Sequence, residues 1–395
     1  MPACVVAMVL LAAVGCWHQV GGDEMHSGAT GSGGVTPGNV GQLARAWVTT
    51  TGSPATSPIV YSGSVFSTAL GSTTGGKVTA YDTQSGSVRW SLSSVNAAGQ
   101  FFTFRTLTKS AAGLEVPYNL TAAGGFLTLD PATGAQLAAD GGLHVRASTS
   151  IVSKGDVNAR VRTIVGSGGP YYAFLYWGSH GSLLTVDSTL AISEPSIVGS
   201  HVIVGVGQQV ISFPLDVCAP SGCAPEWTRT FATGVKTPTG IDAGRVAIAG
   251  AVGDFTVLDT ATGDILWKGH TPATSISVAA SVHGIFVSGN DGSVYEFDRD
   301  GCGASLCQPS WTASVGAGRK IFLQPVVAGE VVYVGTDNGN VVAFPATCPA
   351  ATCASLWTGV VDDAHAGGVS GLAADGGTIY ATTSSGVLAA FRRPS

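Results

Sequence analysis

Charge is what this sequence has least of. Asp, Glu, Lys and Arg make up 11% of its 395 residues, against about 25% in an average soluble domain. Its longest basic runs are the pairs Arg319-Lys320 and Arg392-Arg393. A nucleic-acid binder presents a basic patch or stripe, so that class is excluded. No segment holds a helical apolar period over ten or more residues, which excludes a helix bundle. After residue 15 no apolar run approaches the ~20 residues of a membrane-spanning helix. Several catalytic signatures are missing too: there is no Gly-x-Ser-x-Gly elbow, H-E-x-x-H, P-loop or C-x-x-C-H. Low charge does not mean disorder here, because 45% of the residues are apolar and suffice for a large core.

What the chain has in excess is glycine, 56 residues, and a set of paired cysteines. The apolar run Cys4–Gly15 has the length of the h-region of an export signal, so residues 1–15 read as a signal peptide. Ala13-Val14-Gly15-Cys16 resembles the lipobox of bacterial lipoproteins, which would make Cys16 the lipidated residue. Ordinary cleavage near Gly15 is the alternative. The other cysteines fall in three C-x4-C pairs, Cys218/Cys223, Cys302/Cys307 and Cys348/Cys353. Each pair is followed by x3-Trp, at Trp227, Trp311 and Trp357. Three local disulfides in an oxidising compartment fit this spacing better than a zinc site shared between distant repeats.

A repeat explains the rest. One unit is a strand, a tight turn, a returning strand ending in an aromatic or apolar residue, and a strand opening with Trp. In Gln324–Phe344 the turn is Asn338-Gly339, and in 278–297 it is Asp291-Gly292. Both pairs suit a two-residue hairpin whose central residues need φ > 0. Returning strands are expected to end at Tyr81, Leu129, Val186, Phe213, Leu258, Phe297, Phe344 and Phe391. A period of about 40–50 residues with four strands per unit signals a β-propeller. The expected fold is therefore all-β, an eight-bladed β-propeller, with seven blades as the alternative count. Residues 16–42 form a lead-in arm and 43–395 a single propeller domain. The strand around Trp47 completes the last blade, which otherwise lacks a Trp strand.

The segments AYDTQSGSVRW (80–90), TLDPATGAQLA (128–138) and VLDTATGDILW (257–267) share x-x-D-x-x-[TS]-G-x-x-x-W, with Ala138 in one Trp place. Asp and Thr/Ser satisfy the turn's backbone donors, and Trp caps the seam to the next blade. Trp47, Trp90, Trp227, Trp267, Trp311 and Trp357 are the docking residues. The pattern resembles the tryptophan-docking motif of PQQ-type propellers. That family includes quinoprotein alcohol dehydrogenases and the propeller lipoprotein of the outer-membrane β-barrel assembly machinery. Trp17, Asp23, His26, Ser27 and Gly28 resemble the W-x5-D-x2-H-S-G lead-in that precedes many such propellers.

A propeller's usual ligand site is its central funnel, on the face opposite the disulfide loops. The loops opening there offer Glu194, Lys236, His270, Arg319, Lys320, Asp362, Asp363 and His365. Asp362-Asp363-x-His365 is the densest cluster, either a metal or polar-ligand site or solvated loop charge. The resemblance implies PQQ and calcium as cofactors if the chain is an enzyme. The chain has no adjacent Cys-Cys pair, and the Glu/Asn calcium pair and catalytic Asp of those enzymes cannot be placed on it. The reading that follows is an exported, non-enzymatic scaffold at the cell envelope. It needs no cofactor, binds an envelope protein or small ligand as a monomer, and has no catalytic or metal residues. The alternatives are a divergent quinoprotein oxidoreductase and an outer-membrane assembly subunit.

Overall fold

The computed structural model describes residues 17–394 apart from 53–54, 70–75, 94–102, 105–106, 120–122, 144, 155–156, 166–170, 178–179, 187–191, 217–222 and 251. Residues 1–15, read above as a signal peptide, and Cys16 and Cys218 lie outside the described residues. The fold is an all-β propeller. Among the described residues its strands form eight sheets of four or five, and the one helix is a 3-10 turn at Val40–Gln42. Successive sheets pack face to face. The innermost strand of the last, Val369–Asp375, packs on that of the first, Ile59–Tyr61, and so closes the ring.

Burial follows position in the sheet. Second strands such as Ser64–Ala69, His201–Val206 and Gly284–Gly289 are buried at every residue, because each is covered on both faces by neighbouring sheets. Outermost strands alternate, as in Trp227–Thr230. The aromatics closing the third strands, Tyr81, Phe213, Phe297, Phe344 and Phe391, are at most 2% exposed. Ring closure is as expected from the sequence: Ala44–Thr50 pairs antiparallel with Val387–Arg392.

Two expectations need correction. The third sheet runs Val145–Lys154, Val157–Val165, Tyr171–Trp177, His180–Val186 from axis to rim. Its returning strand therefore ends at Trp177, and Val186 closes the outermost strand. The sheet is built from hairpins with no Asp/Thr/Gly turn to mark them. At Asn338-Gly339 only the glycine has positive φ, at 80°. Gly339 N–H donates to Thr336 O, and Thr336 N–H to Asn340 O. The loop is thus one residue longer than a two-residue turn, a form in which only the last position needs glycine.

The docking motif works across sheets. Asp82, Asp130 and Asp259 each accept two backbone N–H bonds within their own turn. The indole N–H of the preceding sheet's Trp donates to the carbonyl after that Asp: Trp47 to Thr83, Trp90 to Pro131, Trp227 to Thr260. The turn glycine lies under the indole. A Cβ on Gly86, Gly134 or Gly263 would come within 2.5–2.6 Å of the ring.

Where disulfides replace that turn, the joint changes. Cys302–Cys307 and Cys348–Cys353 are bonded, and Cys223 is disulfide-bonded as well. Leu306–Cys307 pairs in parallel with Lys268–Gly269, and Thr352–Cys353 with Thr312–Ala313. Each loop thus adds a fifth strand to the outer edge of the preceding sheet. Trp267 and Trp311, the indoles on those two sheets, have no hydrogen-bond partner for Nε1. The carbonyl of the Asp turn is gone, and strand pairing takes over the joint.

Candidate functional site: the ring axis

The inner edges of the sheets converge on the axis, where edge N–H groups would lack acceptors. The lead-in arm supplies them. Val60, Lys109, Ile197, Gly240, Ala280 and Val327 lie on the innermost strands of six sheets. They donate in order to the carbonyls of Trp17, His18, Glu24, Met25, Ser27 and Gly28, at 2.6–2.8 Å. In the third sheet Ser153 N–H donates to the Gln19 side chain at 2.9 Å. Ala29–Thr30 then pairs with Val327–Ala328, and Gly33 abuts Gly377 of the last sheet. The arm therefore crosses the inside of the ring sheet by sheet.

Its motif residues shape this path. Asp23 accepts the N–H groups of Met25 and Ser27 and the Ser27 hydroxyl. His26 holds φ = 52°, and its Nε2–H donates to Pro195 O at 3.1 Å. Gly28 passes between two sheets, where a Cβ would sit 2.7 Å from that of Ala279.

Beside the arm is a cavity of about 230 Å³. Trp17, Val20, Gly21 and His26 form its arm side, and Glu194, Lys236, Thr239, Phe322, Gln324 and Leu372 are among its other walls. Lys236 Nζ donates to Ser275 Oγ at 2.8 Å and to Ile276 O at 2.6 Å. Both partners are neutral, and burial lowers the ammonium pKa. Glu194 lies 3.9 Å from His26 Nδ1. The Gln324 amide is locked on His26 O and Val278 O, each at 2.7 Å. Phe322 remains 62% exposed at the mouth.

Of the sequence-nominated residues, the structure brings Glu194 and Lys236 to this cavity. The other six do not line it. His270 ends an outer strand and meets Asp254 at 2.6 Å. Arg319 and Lys320 are exposed, with Arg319 4.0 Å from Asp337. Asp362 turns into its own loop and accepts Ala364 N–H, Ala366 N–H and Ser385 Oγ–H; these bonds, Ser385 first, lower its pKa. Asp363 chelates Arg45 at 2.9 and 2.7 Å. His365 Nδ1 donates to Asn338 O. Among the described residues no cluster of three or more His, Cys, Asp or Glu side chains could hold a metal. Sequence reasoning missed Trp17, His26 and Gln324 as cavity residues. The lead-in motif was legible, but its destination on the axis was not.

The family profile described as outer membrane protein assembly factor BamB matches residues 40–188 and 219–304, more than half of the chain. The chain belongs to this BamB-type family. No curated protein sequence matches it. Among solved structures it is similar to BamB from Moraxella catarrhalis, at 17% identity and a TM-score of 0.61, covering 89% of this chain and 97% of that one. Quinohemoprotein alcohol dehydrogenase from Comamonas testosteroni is similar at 13% identity and a TM-score of 0.66, covering 97% and 82%. The computationally designed protein Ika8 is similar at 14% identity and a TM-score of 0.63, covering 87% and 97%. At these identities the BamB-type chain shares a fold with its neighbours, and fold alone does not carry function.

Proposed function

We propose that this BamB-type propeller is an exported, non-enzymatic scaffold that binds a small ligand or an envelope protein and needs no cofactor. The observation that carries the reading is the axis, where the chain's own arm bonds to sheet after sheet and, among the described residues, leaves a small, largely apolar cavity with two charged side chains. The disulfides support an oxidising compartment. Among the described residues no helix is long and apolar enough to cross a membrane.

A quinoprotein would need a site for PQQ and calcium. PQQ is a tricarboxylate quinone, and its calcium needs several oxygen ligands. The axial cavity offers one ammonium, Lys236, and one carboxylate, Glu194. That donor set does not fit PQQ with calcium. The experiment is reconstitution: purified protein is given PQQ and Ca²⁺ and assayed for dye-linked alcohol oxidation and for quinone absorbance after gel filtration. No turnover and no retained absorbance are expected; turnover or retained quinone absorbance overturns the reading.

The family description favours a second reading, a subunit of outer-membrane protein assembly. Its test is co-purification of the tagged chain with a β-barrel assembly complex from its own envelope.

A further inference from the structure

The axial cavity contains two formal charges of opposite sign that do not meet. Lys236 forms no ion pair with any described carboxylate, and its two hydrogen bonds go to a hydroxyl and a carbonyl. An ammonium makes three donations, so one N–H is left over. Burial of a charge without a counter-charge is costly, and the lowered pKa of Lys236 is the sign of that cost. Glu194 has 25% of its side chain exposed and, among the described residues, no partner nearer than His26 at 3.9 Å. The same cavity is lined by apolar groups, among them Trp17, Leu323, Leu372 and the exposed ring of Phe322. At about 230 Å³ the space falls below the ~300 Å³ at which drug-sized pockets begin. These features together describe a ligand: small, apolar in its body, anionic at one end, and carrying a hydrogen-bond donor nearby.

Resting on the reading of this chain as a binding scaffold, we propose that the cavity takes a small amino or hydroxy acid. Its carboxylate pairs with Lys236, its amino or hydroxyl group donates to Glu194, and its aliphatic body lies against Trp17 and Phe322. The arm then has a second role, because it contributes Trp17 and positions the His26 ring beside the acceptor carboxylate. Gln324 is a positioning residue: it holds the arm at His26 O and touches the wall strand at Val278 O.

The probes are leucine, 2-hydroxyisocaproate, isovalerate and isoamylamine, titrated by calorimetry into the full chain. Leucine or 2-hydroxyisocaproate binds, whereas isovalerate, lacking the donor and the carbon that bears it, and isoamylamine, lacking the carboxylate, each bind about tenfold more weakly or worse, as expected for loss of a charge-assisted contact. Lys236→Met weakens the acids about tenfold or more. Glu194→Gln weakens leucine and leaves isovalerate unchanged. Phe322→Ser lies on the exposed rim and leaves the melting temperature unchanged, so it reports on affinity even if Lys236→Met misfolds; it lowers leucine affinity several-fold. Equal binding of isovalerate, isoamylamine and leucine overturns the assignment, as does full affinity in Lys236→Met, and so does no binding by any probe. The last result overturns the ligand class alone. Quinone-dependent turnover strikes at the scaffold reading itself.

Discussion

Gly263 shows how much one side-chain atom can decide. A Cβ there would lie 2.6 Å from Trp227, and the residue holds φ = +71°. Gly263→Ala must move the indole that caps the seam or strain the turn, so a loss of about 2–4 kcal/mol is expected. Gly318→Ala is the control, since its φ is also +71° but nothing lies within 4 Å; it carries only the left-handed strain of about 1 kcal/mol. Urea melts of the two variants check this, and equal losses would mean that indole packing contributes nothing. Glu296 makes a second residue-scale prediction. It is 7% exposed, and burial, helped by Asp298, raises its pKa from 4.5 to about 7. The folded state therefore holds a proton that the unfolded chain has released, and stability falls as pH rises from 4.5 to 7. Asp375, raised from 3.8 to about 6 by burial, acts with the same sign over its own lower window. Glu296→Gln is expected to flatten the upper part of the slope and stabilise at pH 8 by about 1–2 kcal/mol, discounted for solvent screening. Chemical denaturation at pH 5 and pH 8 measures it. An unchanged slope in the variant would place the pH sensitivity elsewhere.

At the scale of elements, the disulfide loops are edge covers. The strands Ile265–His270 and Trp311–Ser314 would otherwise present open backbone at the rim. Instead Lys268 N–H donates to Ser305 O and Thr312 N–H to Ala351 O. A Cys302→Ser/Cys307→Ser double variant should lose on the order of 2 kcal/mol, the value of a short closed loop. Hydrogen exchange at Lys268 should rise while Thr312, held by the other loop, stays protected. Fast exchange at both amides, or at neither, would count against independent clasps. The C-x4-C-x3-W spacing made the bridges legible, but it could not show which sheet the loop would pair with. The third sheet was misread for a related reason: hairpins without a turn signature leave the returning strand unmarked.

The whole molecule depends on closing a ring from both directions. Ala44–Thr50 closes it at the rim, and the arm does so at the axis. Bonds from the arm to the inner strands, at about 1 kcal/mol each net, put its contribution on the order of 5 kcal/mol. Deleting residues 17–30 should lower the melting temperature by ten degrees or more and broaden the transition. Asp23→Ala, which removes three hydrogen bonds inside the arm, should give a smaller shift of the same sign. Calorimetry reads both, and a deletion variant that melts like the full chain would make the arm a passive tail.

Sequence alone determined what depends on local chemistry. Period, turn residues and Trp spacing are short-range patterns, and they specify a propeller, its docking joints and its covalent loops without reference to the rest of the chain. Tertiary structure decided what depends on convergence. Glu194, Lys236 and His26 are far apart in sequence, and no local pattern says that an arm will enter the ring or which loop charges will be spent on neighbours. Asp362 and Asp363 looked available because they stand in a loop. They are engaged because that loop folds back on Ser385 and onto Arg45, whereas Lys236 keeps an unpaired charge because its loop, just ahead of the strand Thr239–Asp242, opens on the axial cavity.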